Sequence, residues 1–132
     1  MDMSSRPSKR REYMIGFAVS SASPALAARC AAGGQGAEWL VSQLGADASG
    51  PVLVIEGLSG NITGQKRANG FADKLSELAP GLKVVASLPG DWDRGKAANI
   101  TNDILTSNPD LVAIFAANDG MALGAVETVY AA

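Results

Sequence analysis

Three short apolar runs alternate with helical patterns from Gly33 to the end of the chain. They are Pro51-Val52-Leu53-Val54-Ile55, Leu82 to Leu88, and Leu111-Val112-Ala113-Ile114-Phe115-Ala116. The first and third are continuous, the mark of strands buried on both faces. Between them the apolar spacing changes to that of helices. Ala37, Leu40, Val41 and Leu44 fall at i, i+3, i+4 and i+7, and Gly45 closes that segment. Ala68, Phe71, Leu75 and Leu78 mark a second helix, stopped by Pro80-Gly81. Ala97, Ile100 and Ile104 mark a third, with Asp93 as its expected N-cap and Asn108-Pro109-Asp110 as its end. Asp119 is placed to cap a fourth, running through Met121 to Ala132. The order α-β-α-β-α-β-α predicts a three-layer α/β/α fold on a parallel sheet with right-handed crossovers. Three strands are few and leave open edges, so part of a larger fold is expected.

Residues 1–32 differ from this body. Their start is polar and basic, with Arg6, Lys9, Arg10 and Arg11, followed by Tyr13 to Val19 and then Ala25-Leu26-Ala27. A charged start, an apolar middle and a small-residue site resemble a secretory signal peptide. Ser20, Ser21, Ser23 and Pro24 weaken the apolar middle, and Arg29 spoils a lipoprotein-type site before Cys30. The segment is read as a leader or unstructured stretch, and residues 33–132 as the folded body.

Composition removes several chemistries. The chain has no histidine and one cysteine, so Ser-His-Asp, Cys-His and His-containing metal sites are out, as is an internal disulfide. The net charge of -2 gives no electrostatic footprint for nucleic acid. No apolar run reaches membrane-spanning length, so stable membrane insertion is not expected. No catalytic constellation is visible, and no enzyme, metal or cofactor is expected.

Three residues follow the strand-like runs at or near helix starts: Arg67, Trp92 and Asn118. In a parallel α/β sheet such positions gather at the carboxyl ends of the strands, where ligands bind. Arg67, expected in the first turn of its helix, is either a surface charge beside Lys66 or a forked donor to several hydroxyls. Trp92 is either a packing aromatic or an indole face for the C–H patch of a sugar. Asn118 is either a turn residue or a carboxamide that both donates to and accepts from hydroxyls. Trp39 and the pair Asp93 and Arg94 read as structural. Glu56 is open between a pocket acid and a loop brace. Asn61-Ile62-Thr63 and Asn99-Ile100-Thr101 match the glycosylation triplet, which is common by chance.

Gly90-Asp91-Trp92-Asp93-Arg94-Gly95-Lys96-Ala97 has the outline of a phosphate-binding loop between strand and helix. Ala97 stands where a hydroxyl would hold Mg²⁺. Asp91 and Asp93 would repel phosphate, and Asp93 as a cap would occupy the amides an anion needs. Nucleotide binding is the least favoured reading.

Several segments resemble the sugar-binding proteins of bacterial ABC importers, of the ribose- and allose-binding type. They are Gly60-Asn61, Arg67-Ala68-Asn69-Gly70-Phe71, Ala86 to Arg94, Asn108-Pro109-Asp110 and Ala116-Ala117-Asn118-Asp119-Gly120-Met121-Ala122-Leu123-Gly124. The last is shared with lactose-repressor-type regulators, whose effector-binding domain is the alternative reading. Such a regulator needs an amino-terminal helix-turn-helix, which residues 1–30 do not display. The resemblance implies part of the second lobe of a periplasmic-binding-protein-like fold that closes on a monosaccharide. It implies a ribose- or allose-like ligand, an ABC permease as partner and a periplasmic location. In that family the matching arginine, aromatic and asparagine contact the sugar, which puts Arg67, Trp92 and Asn118 on the ligand. It also implies a missing first lobe and missing later βα units, hence weak or absent sugar binding by this chain alone. It does not identify the sugar.

Overall fold

The computed structural model describes residues 14–15 and 26–131, with side chains from Gly33 onward. Residues 1–13 and 16–25, which carry most of the signal-peptide reading, lie outside the described residues. The elements are β1 (Met14–Ile15), α1 (Leu26–Leu44), β2 (Gly50–Glu56), α2 (Ile62–Leu78), β3 (Leu82–Pro89), α3 (Arg94–Ser107), β4 (Ala113–Ala116) and α4 (Asp119–Ala131). All pairings are parallel, in the order β1-β4-β2-β3. The α/β class and the parallel sheet are as expected.

Two features fall inside the segment read as a leader. β1 pairs with β4, Met14 opposite Ala113 and Ile15 opposite Ile114. Helix α1 begins at Leu26, ahead of the amphipathic spacing that starts at Ala37. An alanine- and glycine-rich stretch has too few large apolar residues to display a period, so its helical state was not legible.

Alternation along the two central strands divides the core into two layers. Val52 and Val54 of β2, with Ala113 and Phe115 of β4, face α1 and α2, where Leu40, Ala68, Phe71 and Leu75 meet them. Leu53 and Ile55, with Ile114 and Ala116, face α3 and α4, where Ala97, Met121, Ala122 and Ala125 meet them. Phe71 and Phe115 stack with ring centroids 4.4 Å apart and planes 15° apart, locking α2 to β4. Helix α1 approaches α2 through Gly33, where a Cβ would lie 2.1 Å from the Arg67 carbonyl oxygen. Only a residue without a side chain permits that approach.

β3 is an edge. Its register with β2 shifts between Val52 and Leu53, and Val85 and Leu88 are exposed. A bulge on an edge strand is one way such an edge is kept from pairing further. Trp39 packs, half-buried, against the first core layer, in keeping with its structural reading.

Candidate ligand site at the carboxyl edge of the sheet

β2, β3 and β4 all point their carboxyl ends at one side of the molecule, and each hands over to a helix there. Asn61 caps α2, its side-chain oxygen accepting from the Gly64 amide at 2.9 Å. Asp93 caps α3 as expected, accepting from the Lys96 amide at 2.8 Å. At α4 the expectation is corrected by one residue. Asn118, not Asp119, accepts the Met121 amide at 2.9 Å, and Asp119 is already helical. Asparagine and aspartate are equally good caps, so adjacency alone could not choose between them. With its oxygen engaged, the Asn118 carboxamide is fixed and its nitrogen remains a donor.

Arg67 also departs from one expectation. It lies in the second turn of α2 rather than the first, because the helix starts at Ile62. It is buried, 8% exposed, so the surface-charge reading is set aside. Its guanidinium donates through Nη1 to the Ala117 carbonyl, immediately before Asn118. The same guanidinium lies 5.9 Å from the centroid of the Trp92 ring. That is cation–π range, and a partly desolvated pair gains more from it than an exposed one. Arg67 therefore ties together the ends of β2, β3 and β4 and brings the three candidate residues to one place.

Trp92 is half-buried against the second core layer. Its benzo edge rests on Gly57: a Cβ there would stand 2.2 Å from Cη2 and 2.3 Å from Cζ2. Gly64 flanks the same edge, its Cβ position 3.2 Å from Cη2. These two glycines are the supports that sequence reading missed. The available signal was a glycine directly after a buried strand, paired with one in the first turn of the next helix. Gly57→Ala is expected to displace the indole and lower stability by about 1–3 kcal/mol, the usual scale of overpacking. Urea unfolding read by circular dichroism, with Trp92 emission alongside, checks both effects.

The near-phosphate loop is organised against anions. Lys96 is paired with Asp91, and Asp93 occupies the Lys96 amide. The hydrogen bond from Lys96, then that from the Ser59 amide, holds the Asp91 carboxyl below its ordinary value. A carboxylate with a lowered folded pKa contributes its stabilisation above the ordinary aspartate range and loses it as pH falls through the folded value, so the link holds at neutral pH. Glu56 acts as a brace, accepting from the Ser87 hydroxyl of β3 at 2.6 Å. Arg94 pairs with Glu127 on α4, a bidentate contact on the exposed side of the helices. Among the described residues no group of histidine, cysteine, aspartate or glutamate could hold a metal ion, and no helix is long and apolar enough to cross a membrane.

A parallel α/β unit whose strand ends collect a buried guanidinium, a half-buried indole and a fixed carboxamide has the build of a small-molecule binding lobe. The chain belongs to the periplasmic binding protein domain family, whose model matches residues 27–132. It is 42% identical over 99 residues to the D-allose-binding periplasmic protein of Escherichia coli strain K12, covering 75% of this chain and 31% of that one. It is 39% identical over 102 residues to a ribose import binding protein of Haemophilus influenzae, covering 77% and 34%. Among solved structures, an ABC transporter periplasmic solute binding protein from Actinobacillus succinogenes with bound D-allose superposes with a TM-score of 0.72. It is 38% identical, and the match covers 78% of this chain and 36% of that one. The chain thus spans about a third of the length of the relatives it matches. These relatives are named as binding proteins rather than enzymes.

Proposed function

We propose that this chain contributes one wall of a monosaccharide-binding site in the carbohydrate-binding component of an ABC-type importer. The sugar is of the allose or ribose type, and the location is the periplasm. Arg67, Trp92 and Asn118 are its contacts. The observation that carries this reading is the position of Arg67, which lies over the Trp92 ring and donates to the carbonyl next to Asn118. An aromatic ring takes the C–H face of a sugar, while guanidinium and carboxamide groups serve its hydroxyls. The names of the relatives, D-allose-binding and ribose import binding, support the same ligand class. A permease would be the partner of the assembled importer component.

The site is suited to a neutral ligand. The nearby ammonium of Lys96 is neutralised by Asp91, and the α3 amide that an anion would take is used by Asp93. A thermal-shift panel tests the reading. D-Allose or D-ribose at high concentration is expected to raise the melting temperature beyond a polyol of equal osmolality, while ATP with Mg²⁺ leaves it unchanged. Stabilisation by ATP and not by either sugar would overturn the proposal.

A further inference from the structure

We propose that Asp91 is a positioning residue for Trp92, clamping the turn that carries the indole to the loop after β2 and to the first turn of α3. This deepens the sugar-site reading, on which its functional meaning rests.

The turn itself demands such a clamp. Asp91 and Trp92 have φ of 56° and 62°, and the Asp93 amide donates to the Gly90 carbonyl at 2.9 Å. Two consecutive left-handed residues closed by that hydrogen bond make a turn that glycine, asparagine and aspartate adopt readily. A bulky tryptophan at positive φ is an outlier there. Strained residues of this kind persist only where the surroundings over-determine them.

Asp91 supplies those surroundings from both directions. Its amide donates to the Gly57 carbonyl at 3.3 Å, and its Oδ1 accepts from the Ser59 amide at 3.3 Å. Its Oδ2 takes the Lys96 ammonium of α3. Gly57 is the residue on which the indole edge rests. The side chain of Asp91 thus fixes the loop bearing the seat relative to the turn bearing the ring. Aspartate meets both requirements, since it tolerates the left-handed region and presents two acceptor oxygens.

The test uses the full chain with Trp39→Phe, so that Trp92 is the sole tryptophan. No sugar is added. Asp91→Ala is expected to shift Trp92 emission to the red and raise its acrylamide quenching constant about twofold, with the far-ultraviolet circular dichroism of the parent retained. Asp91→Asn, which keeps left-handed tolerance and the acceptor for Ser59, is expected to restore most of the parent signal. Lys96→Met, which leaves the turn's own residues untouched, is expected to give a smaller rise. A folded Asp91→Ala with unchanged emission and quenching would overturn the proposal, as would an Asn variant indistinguishable from Ala. Should Asp91→Ala not fold, Lys96→Met decides: parent-like quenching overturns the proposal, and increased quenching supports it. Because these readings need no ligand, failure of allose to bind the parent would sink the sugar reading and leave the Asp91 result standing.

Discussion

Replacing Phe115 by alanine is expected to lower the stability of this chain by about 3–5 kcal/mol. Phe115 is fully buried in β4 and stacked on Phe71 of α2. Truncation would remove its transfer free energy and the stacking contact, and would leave a cavity behind. The surroundings cannot close that cavity cheaply. Val54 of β2 is paired opposite Phe115 in the sheet, and α2 is held close to α1 at Gly33. Phe115→Leu keeps much of the volume and is expected to cost considerably less. Equilibrium urea unfolding of the three proteins, compared at constant slope, checks the order and the size. Phe115 also lies two residues before Ala117, the acceptor for Arg67, so the alanine variant is expected to loosen the carboxyl edge of the sheet as well.

Arg67→Ala is expected to cost about 1.5–3 kcal/mol, the scale for a hydrogen bond involving a charged group, and to weaken sugar binding at the same time. The variant leaves the Ala117 carbonyl without its guanidinium donor and uncovers the Trp92 ring. Arg67→Lys is not expected to rescue it. A compact ammonium on a flexible stem lacks the planar fork that meets a carbonyl and a ring together. The informative measurement is the pair of variants by urea unfolding and by Trp92 emission. Alanine and lysine should behave alike in the exposure of Trp92.

The fold was largely legible because its central strands are unambiguous. Val52 to Ile55 and Ala113 to Ala116 carry apolar side chains on both faces, as the strands of a covered parallel sheet do. Asp93 was legible as a cap because cap chemistry is local. The misses are tertiary. The sequence leaves Arg67 open between a surface charge beside Lys66 and a forked donor, and its burial by the approach of β4 and the Trp92 ring decides against the first. Nothing within a few residues of Arg67 encodes that. The left-handed turn at Asp91 and Trp92 comes with contacts from Asp91 to Gly57 and Ser59, both distant in sequence, so a window of sequence around Trp92 does not predict it. Met14–Ile15 is too short a strand to carry any period, and only its pairing with β4 defines it. That Arg67, Trp92 and Asn118 gather at one edge could be read from sequence because strand ends in such sheets converge. How they touch could not.

The most direct test is a titration of the isotopically labelled chain with D-allose and D-ribose, followed by nuclear magnetic resonance. The three proposed contacts come from one wall, so binding is expected to be weak, with Kd in the millimolar range, about −4 kcal/mol. The predicted result is a saturable shift of the Trp92 indole N–H and of the Asn118 side-chain amide, with Arg67→Ala abolishing both. Shifts confined to residues away from the ends of β2, β3 and β4, or no saturable shift with either sugar, would contradict the account.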